Sequence, residues 1–542
     1  MKKSVFVLVS SALLLTALAG CGSNTTETVK PDNAATAEKT EPMVLRWNVS
    51  GGEPPTADPG LATDNVSFDI VLANYEGLSR YGPDGKVTNA VAESYEASPD
   101  FTKFTFKMKK DLKWSNGDPL TAHDFEFAWK RNLDPKTASE YAYQLYYLKG
   151  GEEYNTGKGK AEDVGVKALD DLTLEVTLKS PTPFFYELTA FPTLFPLHRK
   201  TVEGNPNWAN EAKTYIGNGP FKMETWVHKD KMVLVKNENY WDKENVKLDR
   251  IDLAMIEDDN TAFALFESGE LDWGGFPAFG MPVDLVSKVK ADGKLAVADE
   301  PRTDGVVFYT QKPPFNNKKI RQAFAYAISR QPIIDNILQT NAPAAFSWLP
   351  PSMKVKEDGY FKEDVNKAKQ LLAEGMKELG LDKFPTVTYT YNTADRNKKV
   401  AEALQDQWKK TLGVDVKLQN SEWKVFLKDR NTGNFQLARY SWGADFNDPI
   451  NFLELFKDKN GGNNDADYDN KQFRDLLNKS YTETDPEKRK QLFLEAETIM
   501  MEDMPVAPLF HSAQPYVKNE KVKGFLINPI GGNDFKYVTV EK

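Results

Sequence analysis

The stretch that most limits how this chain can fold is 386–440, where short β-rich runs alternate with segments of helical period. "TVTYTY" (386–391) has the β-branched and aromatic composition of a strand. From Ala394 to Leu412 the apolar residues Val400, Leu404 and Trp408 mark one face of a helix, and Gly413 ends it. "VDVKLQ" (414–419) then alternates, with Val414, Val416 and Leu418 on one side. A short helix follows from about Glu422 to Asp429, and "FQLAR" (435–439) supplies a third strand. Strand, helix, strand, helix, strand predicts a parallel sheet with right-handed crossovers. In open α/β sheets ligands sit beyond the carboxyl ends of the strands. Asn392 follows the first strand and "RYSWGADFNDP" (439–449) the third, so the crevice between them is where a ligand is expected.

That second segment gathers Arg439, Asp445 and Asp448 around Trp442 and Gly443. A carboxylate at the mouth of a sheet suits a cation: Asp445 offers charge-assisted hydrogen bonds to an ammonium, and Gly443 offers a bare backbone for close approach. Arg439, six residues earlier, suits a carboxylate in a two-point fork. Opposite charges at the two ends describe an amino acid or a peptide. The same residues are equally compatible with an internal ion pair between Asp445 and Arg439. A two-carboxylate hydrolase using Asp445 and Asp448 is a third reading, resting on their proximity alone.

Other motifs fail on detail. "GEEYNTGKG" (151–159) has five residues between its glycines and a glycine where a phosphate loop needs Ser or Thr for magnesium. "DADYDN" (465–470) starts in calcium-loop phase with Asp465, Asp467 and Asp469, but Asn470 replaces the glycine and Leu476 the bidentate glutamate. "SEWK" (421–424) matches Ser-x-x-Lys at two fixed positions only. His123, His198, His228 and His511 show no metal spacing, so neither a metal nor a cofactor is expected. Elsewhere, Thr121 and Asp124 have capping-box spacing before a helix with Phe125, Ala128 and Trp129 on its apolar stripe. Asp485 and Pro486 open another, whose face is expected to comprise Leu492, Ala496, Ile499 and Met500.

The start of the chain reads as an export signal. "MKKSVFVLVSSALLLTALAGC" has Lys2 and Lys3, an apolar run from Val5 to Leu18 and small residues at its end. No other stretch reaches the roughly 20 apolar residues of a membrane span. Without residues 1–20 the chain carries 67 basic and 79 acidic residues, a net charge of −12, which argues against nucleic acid and against adsorption to anionic lipid. Cys21, the single cysteine, stands at the cut. "LAGC" (18–21) resembles the lipobox of bacterial lipoproteins, where that cysteine is acylated and becomes the new N-terminus. Residues 21–43 have little to bury and read as a tether reaching about 25 Å. The globular part is expected to begin near Val44.

Longer motifs add a resemblance. "WSNGDPLTAHDFEFAWKR" (114–131), "NGPFKMETW" (218–226), "YWDK" (240–243), "SGELDW" (268–273), "PPFNNKKIRQAFAYAISR" (313–330) and "SWGADFNDPINFLELF" (441–456) are similar to the family 5 extracellular solute-binding proteins of ABC importers, most closely to their oligopeptide-binding lipoproteins. The resemblance covers essentially all of the mature chain. It implies an α/β, two-lobed fold of the periplasmic-binding-protein type (type II, cluster C) with an extra subdomain. The first lobe would comprise about 44–75, 199–303 and 513–542, the subdomain 76–198 and the second lobe 304–512. It also implies a binding protein, not an enzyme, which holds a short peptide as an added strand between closing lobes. Asp445 matches the carboxylate that receives the peptide's amino terminus, and Ser441, Trp442 and Gly443 the backbone-bonding strand. Tyr141 matches a ligand-contacting tyrosine, Arg439 an arginine available to the peptide carboxylate, and Trp423 and Arg430 pocket-lining positions. Asn397 stands where some relatives offer the carboxylate a histidine; Gln339 lies near a relative's lysine, and Ser512 replaces a pocket aromatic. The implied partners are importer permease subunits with their cytoplasmic ATPases. The implied setting is a monomer anchored through Cys21 to the outer face of the cell membrane. Binders of dipeptides, cell-wall tripeptides, nickel complexes, haem or oligosaccharides share the fold.

Overall fold

The computed structural model describes residues 41–541, apart from 447, 460, 462, 484 and 528–532. The export signal, Cys21 and all but the end of the tether lie outside the described residues. Among those described, the strands form two four-stranded sheets, one six-stranded sheet and three two-stranded ribbons, and no helix is long and apolar enough to cross a membrane.

The expected alternation is present. Strand Val387–Asn392 leads into helix Asp395–Leu412, strand Val416–Ser421, helix Trp423–Asn431 and strand Leu437–Gly443. Gly413 ends the long helix in the left-handed region, at φ 71°, where a side chain would be strained. The helix buries Val400, Leu404 and Trp408. Trp408, fully buried, also donates its Nε1 hydrogen to Phe324 O at 3.0 Å. Its truncation to alanine would cost about 3–5 kcal/mol.

The three strands do pair in parallel, but the sheet as a whole is mixed. Its order is 273–275, 506–518, 296–308, 437–443, 387–392, 416–421. Strand Ala296–Phe308 runs antiparallel to both Leu437–Gly443 and Val506–Lys518. Those partners come from more than 100 residues away, so no local pattern announces them. The two 13-residue strands carry the expected lobe boundaries, 303/304 and 512/513, in their interiors. Their register shifts between Asp299/Thr303 and Asp304/Gly305, which bends the pair at the junction.

A separate four-stranded antiparallel sheet is formed by 92–97, 103–108, 173–177 and 166–170. Helix Ala122–Leu133 packs on it, burying Phe125, Ala128 and Trp129, while Asp124 Oδ2 accepts from Thr121 N at 2.8 Å at its start. In helix Pro486–Asp503 the capping by Asp485 holds, but the buried stripe is turned. Phe493, Ala496 and Met500 are inside, Leu492 and Ile499 sit at its edge, and Glu497 is fully buried among them. Glu497 accepts from Trp348 N and Leu349 N, both at 2.9 Å, and from Tyr360 Oη at 2.8 Å. A charge tied to a distant loop cannot be read from helical periodicity.

Candidate functional site

Asp445 follows strand Leu437–Gly443 and is 5% exposed. Its carboxylate accepts from Tyr141 Oη at 3.3 Å, Gln144 Nε2 at 3.2 Å and Asn451 Nδ2 at 3.0 Å. Asn451 in turn accepts from Asp445 N and Trp442 Nε1, which fixes the turn after the strand. Tyr141, itself buried, stacks on Tyr143 and Trp442. Burial pushes the Asp445 carboxyl up to about 7 against the pull of these donors and of Arg302. Among the described residues its hydrogen-bond donors are all neutral.

The internal ion pair between Asp445 and Arg439 is not formed. Arg439 Nη2 lies 3.2 Å from Asp304 Oδ1, and its Nη1 donates to Asn392 Oδ1 at 3.3 Å. The guanidinium is largely buried, and its desolvation lowers its pKa to about 10. Asp448 accepts a fork from Arg489 at 2.6 and 3.0 Å, so the two aspartates point to different partners and do not form a catalytic pair. Asp465 lies 2.7 Å from Arg430 and Asp469 2.9 Å from Arg474, so the calcium-loop phase does not converge either.

The structure brings Asn392, Asn397, Trp423, Arg430, Arg439, Ser441, Trp442, Gly443, Tyr141 and Asp445 together around one cavity of about 230 Å³. Gln339 and Ser512 are not on its wall. Asn397 is turned inward: its Nδ2 donates to Asn392 O and Oδ1 at 3.2 and 3.0 Å. A Cβ on Gly443 would lie 2.8 Å from Arg302 Nη2, so a side chain at this position would displace Arg302.

Strand Leu437–Gly443 is paired along one edge with 302–308, from Leu437↔Phe308 to Gly443↔Arg302. On its other edge, Val387–Asn392 pairs only with Leu437 and Ala438. Among the described residues, the second edge of Arg439–Gly443 therefore has no strand partner where it borders the cavity. Sequence reading located this strand; it did not find Arg302, Asp304, Gln144 or Asn451, which shape it from elsewhere. Nor did it find the acidic wall. Asp64 accepts from Ser67 and from Trp423 Nε1, Asp69 from the Asn533 backbone and side chain, and Asp259 from Gly280 N and Asp395 N. Burial raises all three, Asp69 to about 8 and Asp259 to about 6. Two of these bonds cross the expected lobe boundary: Trp423 Nε1 to Asp64 Oδ1 at 3.2 Å and Asp395 N to Asp259 Oδ2 at 3.3 Å.

This chain is 44% identical over 539 residues to the oligopeptide-binding protein OppA of Bacillus subtilis, covering 98% of each chain. Its fold matches Listeria monocytogenes OppA bound to peptide with a TM-score of 0.86 at 32% identity, covering 93% of this chain and 100% of that one. The Escherichia coli murein tripeptide binding protein MppA, 29% identical, gives 0.87 over 93% of this chain and 99% of its own. A structure of the MppA periplasmic murein tripeptide binding protein in an unliganded open form gives 0.62, over 92% of this chain and 98% of its own. The family description "Bacterial extracellular solute-binding proteins, family 5 Middle" matches residues 86–464. With that match across most of its length and relatives alike from end to end, the chain belongs to the family 5 bacterial extracellular solute-binding proteins.

Proposed function

We propose that this protein is an extracellular receptor that binds oligopeptides between its lobes and delivers them to an ABC importer. The observation that carries this reading is the unpaired edge of Arg439–Gly443 beside Asp445. An extended peptide can add to that edge as a strand, gaining main-chain hydrogen bonds that do not depend on its sequence. The buried Asp445 carboxylate then receives its ammonium.

The lobes are proposed to be 44–75 with 199–303 and 513–542, and 304–512, the subdomain being 76–198. A peptide touching both would shift them toward closure by its greater affinity for the closed state. Cys21 is proposed as the lipid attachment site, with 21–43 as the tether that keeps the receptor near its permease. No catalytic role is proposed: Asp448, the carboxylate nearest to Asp445 in sequence, is held by Arg489.

Native mass spectrometry of the purified mature domain tests the reading. It predicts a heterogeneous set of short peptides, released unchanged on denaturation. A protein that arrives empty and cleaves an added peptide library would refute it.

A further inference from the structure

A second cavity, of about 560 Å³, opens between the segments 135–179 and 454–481. Neither Asp445 nor the edge of Arg439–Gly443 is on its wall. Asn463 borders both cavities and donates from Nδ2 to Tyr143 Oη at 3.3 Å, so the two are neighbours. Tyr143, Tyr146, Tyr147 and Tyr481 place four phenol rings around the second one. Lys457 and Lys179 already lie over Tyr481, 5.3 and 5.7 Å from its ring centre. Among the described residues no cation lies over the other three rings, whose faces attract positive charge.

The charges on the wall are unevenly matched. Glu152 lies 3.2 Å from Lys179, and Asp458 3.1 Å from Lys457. Glu140 and Glu454 have no cation within ion-pair distance among the described residues; Glu140 takes both its hydrogen bonds from Asn431 Nδ2, at 2.8 Å. Glu454 is only 9% exposed. Tyr481 Oη donates to its Oε2 at 2.8 Å and Tyr147 Oη to the same oxygen at 3.5 Å, while Oε1 has no hydrogen-bond partner among the described residues. Burial pushes this carboxyl up to about 7 against the pull of Tyr481 and Lys457. A buried acceptor left unpaired is costly, and a donor entering from the cavity would satisfy it.

We propose that this second cavity binds a small organic amine in its ammonium form, with Glu454 as the counter-ion and the rings of Tyr146 and Tyr147 beside its alkyl chain. The proposal goes beyond the peptide reading and does not depend on it. An ammonium supplies both what Oε1 lacks, an N–H donor, and what the rings favour, a cation. A neutral ligand would leave Glu454 without a counter-charge, and an anion would be repelled by it. A metal ion is disfavoured, because among the described residues no group of three acidic, histidine or cysteine side chains converges to hold one. The short helix Ala142–Leu145 presents Tyr143 to this cavity and Gln144 to Asp445, which joins the two sites through a single turn.

The test is ligand-observed NMR titration of the mature protein with 1-aminopentane and, as its neutral match, 1-pentanol. Asp445→Asn serves as the reference, because an ammonium can also occupy the first cavity. The reference is expected to bind the amine roughly tenfold or more tighter than the alcohol. Adding Glu454→Gln should remove that preference, and adding Tyr146→Leu should weaken the amine roughly two- to thirtyfold. A reference that binds amine and alcohol alike would overturn the proposal, as would amine binding unchanged by Glu454→Gln. Should the Glu454 variant fail to fold, Tyr146→Leu decides: it leaves the carboxylate and both its tyrosines in place, and unchanged amine binding there would overturn the site.

Discussion

Replacing Asp445 by asparagine isolates the charge of the proposed ammonium site with little change of shape. The amide oxygen can take the place of Oδ2, accepting from Gln144 and Asn451, while the amide nitrogen faces Tyr141 Oη, which can turn to accept. What is lost is the negative charge, in a site 5% exposed. Removing one partner of a desolvated ion pair costs about 2–5 kcal/mol. Three neutral donors remain to hold the site together, so the lower part of that range applies: about 2–3.5 kcal/mol, roughly 30- to 400-fold in Kd. N-acetylated peptides lack the ammonium and should bind wild type and Asp445→Asn within about threefold of one another.

The pH profile sharpens the test. In the empty protein burial lifts the Asp445 carboxyl to about 7, and an ammonium beside it favours the ionised form. Below pH 7 peptide binding must therefore expel a proton, and affinity falls by up to about tenfold per pH unit. Above about 8 the peptide amine itself deprotonates. Calorimetry from pH 5.5 to 8.5 should show wild-type affinity rising to a plateau near 7–8, with Asp445→Asn flat below 7. If Asp445→Asn weakens free and acetylated peptides alike, or if wild type shows no slope below pH 7, the ammonium role of Asp445 is wrong.

Other perturbations reach different parts of the molecule. Glu497→Leu leaves Trp348 N and Leu349 N buried without an acceptor and should cost about 2–4 kcal/mol by denaturant unfolding. Burial raises the Glu497 carboxyl to about 7, so the stability it contributes is full below its unfolded pKa near 4 and is lost as pH rises through about 7. Glu497→Gln should therefore gain on wild type between pH 5 and pH 8, and a constant difference would contradict the assignment. Asp64→Ala removes the cross-lobe bond from Trp423 and should enlarge the radius of gyration of the peptide-free protein in small-angle scattering; no change would mean that this bond does not hold the lobes together. Cys21→Ser should move the protein from the membrane fraction to the medium, and unchanged membrane retention would refute lipid attachment there.

The local part of the site was legible because it lies on one segment. The period switches between 386 and 440 gave three strands, two helices and the crevice at their ends, and the pairing of Val387–Asn392 with Val416–Ser421 is the parallel ladder they imply. The charges were not legible in the same way. "RYSWGADFNDP" shows an arginine and two aspartates within ten residues, and their nearness in sequence suggested that they belong together. Each in fact faces a different stranger: Asp304 from strand Ala296–Phe308, Gln144 and Tyr141 from the 76–198 segment, and Arg489 from helix Pro486–Asp503. Arg439 lies on the strand, where alternate side chains point to opposite faces, whereas Asp445 and Asp448 lie in the turn beyond it, so what packs on each side sets the partner of each.

That partition bears directly on recognition. A buried charge already matched by the protein contributes shape, because drawing it toward a ligand would strand its partner at a cost of several kcal/mol. Arg302, Arg430 and Arg439 are of this kind and stiffen the cavity wall. A charge set among neutral donors is held in place but left electrically open, as Asp445 is. Beside it runs a strand edge that offers only main chain. On the proposed reading a peptide would be held by its amino terminus and along its backbone, and little in this arrangement would read its side chains. Tolerance of sequence would then follow from the geometry of that edge, since main-chain hydrogen bonds are the same for every residue.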